Sequence, residues 1–229
     1  MRTLAVLSCK GGTGKTTVSV HLAAAAAKSG KRTIIADTDP QNSAMCWRRA
    51  RKLPEPEVRA LNAGALFAFQ RASAAAGAEL MVIDTKAAAG DDGAEAARAA
   101  DLCLIVVRPS FLDIMAVARS VQMVVNLGRP GLIVVNQAPL GREGRLRSET
   151  LKLLKDLGLP LSAPVLKARA AFQAAVACGL TAEEFAPGGP AADEVEDLWR
   201  MVESRLWTDA ATGLDRSQID AEPRLRRAG

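Results

Sequence analysis

The sequence predicts an α/β fold, doubly wound, with a mostly parallel sheet and helices on both of its faces. Three observations carry that prediction. Short runs rich in Val, Ile and Leu alternate with longer stretches of helical period. Several of the short runs are apolar throughout, as strands covered on both faces must be. A glycine-rich loop stands between the first run and the first helix, where such folds bind phosphate.

The elements follow in order. Strands are predicted over Thr3 to Ser8, Thr33 to Asp37, Leu80 to Asp84, Leu102 to Val107, Leu132 to Asn136 and Ala163 to Leu166, with Val58 to Leu61 as a weaker edge strand. Helices are predicted over Lys15 to Ser29, which Gly30 closes, and over Asn42 to Lys52, Ala65 to Ala76, Gly93 to Ala100, Leu112 to Leu127, Arg145 to Leu157 and Ala191 to Trp207. The last of these sets Val195, Leu198, Trp199, Val202 and Leu206 on one stripe opposite Glu194, Glu196 and Asp197, so it should dock on the sheet rather than on a membrane. Past Thr208 the periodicity ends; one domain is expected over 1–207 and a tail over 208–229.

Composition narrows the class of protein. With 229 residues, 49% hydrophobic and 24% charged, the chain is globular rather than disordered, collagenous or a coiled coil. It contains no apolar run near the roughly 18 residues of a membrane span, and no cleavage-site pattern follows Met1 to Ser8, so a cytoplasmic, unprocessed protein is expected. Cys9, Cys46, Cys103 and Cys178 form no Cys-x-x-Cys pair and His21 is the sole histidine, which excludes structural zinc and argues against disulfides. Thirty Lys and Arg against 25 Asp and Glu leave a formal charge of +5, which permits a polyanionic partner.

Three motifs carry chemistry. Lys10-Gly11-Gly12-Thr13-Gly14-Lys15-Thr16-Thr17 joins the first strand to the first helix. Its glycines let backbone N–H groups converge on phosphate oxygens, the helix N-terminus adds its dipole, Lys15 reaches the β/γ-phosphates and Thr16 offers a hydroxyl to Mg²⁺. The common P-loop pattern would place a glycine at Cys9, and this chain adds a second lysine, Lys10, at the mouth of the loop. Asp37-Thr38-Asp39-Pro40-Gln41 ends the second strand with two carboxylates beside that loop, one suited to Mg²⁺ and one to the attacking water. Leu80-Met81-Val82-Ile83-Asp84-Thr85 has the form of a Walker B strand whose Asp84 steadies Mg²⁺.

In this order the motifs resemble the ParA/MinD family of deviant Walker ATPases, and within it the small ParA-type partition ATPases. The segments Asp39 to Ala44, Arg108 to Asp113 and Ala191 to Val195 add to the likeness, which covers nearly all of 1–207. No helix-turn-helix segment precedes the P-loop, as in the short form of the family. The resemblance implies ATP and Mg²⁺ as cofactors, with Gly11, Gly12, Thr13, Gly14, Lys15, Thr16 and Thr17 holding the nucleotide. It implies that Lys10 is the signature lysine that reaches the nucleotide of the other subunit in a homodimer, that Asp39 positions the hydrolytic water, and that Thr16, Asp37 and Asp84 serve Mg²⁺. Asn136, at a strand end, stands where related ATPases put an amide on adenine, although a turn residue would look the same there. Ser110-Phe111-Leu112-Asp113 reads as a capping-box start of a helix, to which the family adds a role at the dimer interface. Where the family usually has Pro or Gly after Asp-Thr, this chain has Lys86, open to a phosphate, to Asp91 or Asp92, or to solvent.

The function implied is a weak ATPase stimulated by a ParB-like or other partner. It would bind DNA nonspecifically as an ATP dimer on the nucleoid and segregate or position a plasmid, a chromosome region or a protein cargo. Two basic clusters suit that role: Arg48, Arg49, Arg51, Lys52 and Arg59, and then Arg142, Arg145, Arg147, Lys152, Lys155, Lys167 and Arg169, of which Arg145, Arg147, Lys167 and Arg169 are the candidate DNA contacts. A solvated helix face would also explain such runs, since aromatics are absent from both; Trp47, Trp199 and Trp207 suit packing. The rivals are a MinD-like membrane-cycling positioner, for which Pro223 to Arg227 is too short an amphipathic helix, and a metabolic ATP-dependent enzyme on the same fold.

Overall fold

The strands form one sheet in the order β3-β2-β4-β1-β5-β6, every neighbouring pair parallel. They are β1 (Arg2–Leu7), β2 (Thr33–Asp37), β3 (Glu57–Ala60), β4 (Leu80–Asp84), β5 (Leu102–Val107) and β6 (Gly131–Val135). The computed structural model describes residues 1–87, 91–141, 152–154, 157–162 and 164–208. Side chains alternate strictly between the two faces. Leu4, Val6, Ile35, Val82, Leu104 and Val134 meet α1 (Lys15–Lys28), α2 (Ser43–Ala50), α6 (Ala170–Ala177) and α8 (Pro190–Glu203). Ala5, Leu7, Met81, Ile83, Ile105 and Val135 meet α3 (Leu66–Ala75), α4 (Asp91–Ala99) and α5 (Phe111–Asn126). Burial on both faces is why β4 and β5 are apolar almost from end to end.

Predicted and observed boundaries differ by a residue or two at most ends, with three informative departures. The strand expected over Ala163 to Leu166 is replaced by isolated parallel bridges, Ile133 with Leu161 and Ala138 with Lys167, because Pro160 and Pro164 lack the N–H groups a continuous ladder needs. Two helices were not foreseen: α6, and the single turn α7 (Ala182–Phe185), opened by a capping box between Thr181 and Glu184. Of the helix expected over Arg145 to Leu157, residues 152–154 are helical; Arg142, Arg145, Arg147 and Lys155 lie outside the described residues, as does the expected tail beyond Thr208.

The last helix docks as its stripe requires, with Val195, Leu198, Trp199 and Val202 buried, and a π-helical turn over Ser204–Thr208 carries Leu206 into the same core. Among the described residues no helix is long and apolar enough to cross a membrane. Trp47 is buried and Trp199 meets Trp207 edge to face, so all three tryptophans pack.

The first basic cluster is divided by the fold. Arg51 is buried, stacks on Trp47 and donates to both carboxylate oxygens of Glu184 at 2.8 and 2.6 Å, so it ties α2 to α7 and is unavailable to a polyanion.

His21 is a second tie in the same region. Its Nδ1 lies 2.7 Å from the Thr17 carbonyl and carries the proton, while Nε2 accepts from the Ala182 N–H at 2.9 Å. Burial pushes its pKa down to about 4. A depressed base stabilises the fold fully above its unfolded pKa and loses that contribution as pH falls through the folded value. Stability should therefore drop between about pH 6.5 and pH 4, by up to about 3 kcal/mol from this group. Urea midpoints across that range should show the wild type losing more than His21→Gln; identical pH profiles would clear His21 of the effect.

Candidate functional site

The loop between β1 and α1 is shaped from outside itself. Gly14, the N-cap of α1, sits at φ 90°, and a Cβ there would come within 2.2 Å of Asn136 Nδ2. That amide donates to the Thr13 carbonyl at 2.7 Å, and Gln137 Nε2 donates to the Gly12 carbonyl at 2.9 Å. Loop carbonyls that α1 cannot satisfy thus find partners at the end of β6. Asn136, expected on adenine, spends its amide nitrogen on bracing the loop.

Lys15 opens α1 and is buried; its Nζ donates to Ser8 Oγ at 3.0 Å, and Ser8 in turn donates to the Lys10 carbonyl at 2.8 Å. Burial lowers the Lys15 pKa against the opposing charges of Asp84 and Asp39. The parallel register aligns Asp37 with Asp84 and Val6 with Asp84, so both acids reach the carboxyl edge of the sheet at the level of the loop. Asp84 is wholly buried and accepts from Thr16 Oγ1 at 2.7 Å and Ser19 Oγ at 3.0 Å. Burial, with the charge of Asp37, pushes its carboxyl up to about 7. Burial also raises Asp37, although it accepts from the N–H groups of Met45 at 3.0 Å and Asp39 at 3.2 Å. Asp39 stands on the rim, its carboxylate turned to the Gln41 N–H at 2.9 Å.

Gly12, Lys15, Thr16, Thr17, Asp39 and Lys86 border one cleft of about 530 Å³, and Thr16 links it to the buried Asp84. Two buried acids whose charge is disfavoured, with a threonine hydroxyl on one of them, fit a divalent cation. Thr13 Oγ1, buried and without a partner among the described residues, and the buried Lys15 fit phosphate oxygens at a helix N-terminus. Magnesium bound there neutralises phosphate charge and polarises the transferred phosphoryl group.

Lys10 lies outside this pocket. Its Nζ pairs with Asp113 Oδ1 at 3.2 Å, and Arg108 holds the same carboxylate through Nε at 2.6 Å and Nη2 at 3.3 Å. Burial acts to raise Asp113, but hydrogen bonds from Arg108, Ser110 and Lys10 outweigh it and hold the carboxyl below its usual range. The expected cap of α5 forms, with Ser110 Oγ accepting from the Asp113 N–H at 3.3 Å, while the Asp113 carboxylate turns to the two cations. Of the candidate DNA contacts, Arg145 and Arg147 lie outside the described residues. Arg169 donates to Glu194 at 2.8 and 2.9 Å and Lys167 Nζ lies 3.9 Å from it, so this acid offsets one of the two positive charges.

The family model described as the CobQ/CobB/MinD/ParA nucleotide binding domain matches residues 4–182. The chain belongs to this family. It is 32% identical over 216 residues to the maintenance of carboxysome distribution protein A of Gloeobacter kilaueensis, covering 91% of this chain and 95% of that one. Among solved structures, apo McdA from Cyanothece matches with a TM-score of 0.73 at 16% identity, over 90% of this chain and 99% of that one. MinD from Pyrococcus horikoshii OT3, complexed with Mg-ADP, matches with a TM-score of 0.70 at 18% identity, over 88% and 96%. As a member of this family the chain carries a nucleotide binding domain; the MinD structure holds Mg-ADP, and that of cobyrinic acid a,c-diamide synthase from Mycobacterium smegmatis holds an ATP analog with magnesium.

Reasoning from motifs did not find Ser8, Ser19 or Gln137. Ser19 alone left a signal, standing three residues after Thr16 on the same face of α1. Lys15→Ala should weaken ATP binding about a hundredfold or more in calorimetry, because charged hydrogen bonds to phosphate are lost from a buried position. Wild-type affinity would remove Lys15 from the site. Gly14→Ala should also lose nucleotide binding, since its Cβ would displace Asn136 from the loop.

Proposed function

We propose that the protein is a ParA-type positioning ATPase. It binds Mg-ATP, closes into a dimer with nucleotide between the subunits, binds DNA without sequence preference in that state, and moves a cargo over the nucleoid until a ParB-like or other partner stimulates hydrolysis. The observation that carries this reading is the separation of the two loop lysines. Lys15 is sealed inside the pocket with the metal-suited acids, whereas Lys10 stands on the outer lip, 38% exposed, able to serve a nucleotide it does not itself enclose. Beside it α5 exposes Phe111, Leu112 and Met115 at 65%, 68% and 60%, an apolar face suited to a second copy of the chain. Asp39, half-open at the cleft rim, suits a water-positioning role. The name of the relative in Gloeobacter kilaueensis favours a large protein assembly as cargo over a plasmid or a chromosome region. The positive balance of the chain supports contact with DNA phosphates.

Asp39→Ala should retain ATP and slow hydrolysis by about a hundredfold, because the triphosphate is held while its water is not oriented. In that background, sedimentation with Mg-ATP should show a dimer, and the added Lys10→Ala change should return it to monomer. A dimer in both variants would place Lys10 in cis and overturn the sandwich. DNA binding should require ATP and weaken steeply with salt; salt-insensitive or single-sequence binding would refute nonspecific attachment.

A further inference from the structure

Lys86 borders the candidate nucleotide cleft. It follows Asp84 and Thr85 directly. Asp84 is the buried acid at the end of β4, and Thr85 is anchored by its hydroxyl, which donates to the Val6 carbonyl at 2.7 Å. The backbone that presents Lys86 is therefore fixed on both the β1 and β4 sides. Lys86 borders the same cleft as Gly12, Lys15, Thr16 and Asp39. Its Nζ pairs with the carboxylate of Asp92 in the first turn of α4.

We propose that Lys86 is a ligand of the γ-phosphate in cis, held by Asp92 until a triphosphate enters, and that it makes the monomer discriminate ATP from ADP. The inference rests on the Mg-ATP reading of the site. Both partners of the Lys86–Asp92 pair are well exposed, 42% and 37%, and exposed pairs contribute little to stability. A phosphate chain concentrates several negative charges in the cleft that Lys86 borders, which favours the approach of its ammonium. Asp92 is not stranded by the exchange, because a carboxylate in the first turn of a helix interacts favourably with the helix dipole. A lysine suits the exchange: its charge sits on a long flexible stem and needs no fixed fork geometry. Lys15 neutralises phosphates at the N-terminus of α1, whereas Lys86 meets the γ-phosphoryl group, which ADP lacks. Its contribution therefore falls on ATP alone.

The experiment is titration of Mg-ATP and Mg-ADP into Asp39→Ala protein and into the same protein carrying Lys86→Met, Lys86→Arg or Asp92→Asn, at protein concentrations where each remains monomeric. Lys86→Met should weaken ATP about tenfold and leave ADP within about twofold, the unchanged ADP affinity certifying the fold. Lys86→Arg should retain most of the preference for ATP, and Asp92→Asn should tighten ATP without changing ADP, since it removes the competing carboxylate. Equal losses for both nucleotides in Lys86→Met, no loss for either, or an ATP loss in Asp92→Asn matching that in Lys86→Met would each overturn the proposal and leave the lysine as half of a surface ion pair. Failure of the parent protein to bind either nucleotide would instead overturn the proposed function on which the inference stands.

Discussion

A carboxylate with no access to water, Asp84, is the constraint around which the site is arranged. Burial alone would drive it to hold its proton near neutral pH, and two hydroxyls, Thr16 and Ser19, are spent on keeping its oxygens satisfied. Both hydroxyls come from the first turns of α1, so the acid also orients the helix whose N-terminus faces the phosphates. Asp37 stands beside it through the β2–β4 register, and Lys15 is close enough to offset part of the charge. A protein that concentrates uncomfortable acids under a helix N-terminus favours a divalent cation carrying a polyphosphate, because that ligand relieves the acids and meets the helix dipole together.

The loop above this centre has little structure of its own. Gly12 and Gly14 adopt left-handed angles, and the loop carbonyls are held by Asn136 and Gln137 from the end of β6 and by Ser8 from within. The anion cradle is therefore a property of the sheet edge as a whole. Cations are sorted by depth: Lys15 is buried, Lys86 lines the cleft wall, and Lys10 lies outside on an acid shared with Arg108. Depth decides what each can do. The buried ammonium of Lys15 is fixed under the loop, while Lys10 and Lys86 are partly open to solvent.

Much of this was legible in the chain. Continuous apolar runs at β4 and β5 read as doubly covered strands, and the loop with Lys15 and Thr16 between a strand and a helix reads as a phosphate cradle. The paired acids at the ends of β2 and β4 followed from the same logic. The signal failed where a residue acts through something distant. Asn136 lies 123 residues from the Thr13 carbonyl it braces, a contact that no motif carries, and Arg51 lies 133 from Glu184, so the sequence alone counts it among surface charges. Helices α6 and α7 escaped notice because one is short and alanine-rich and the other is a single turn held by its cap.

The sequence by itself determined the parallel α/β architecture, the phosphate loop and the identity of its metal-suited acids, because each depends on local period, spacing and chain order. Tertiary structure alone decided which cations are free to act. Glu194 pairs with Lys167 and Arg169, Glu184 takes Arg51, Asp113 holds Lys10, and Asp92 holds Lys86 at the cleft. Charge is written residue by residue, but whether it is available depends on what the fold brings within a few ångströms, and those partners come from other helices, turns and strand ends.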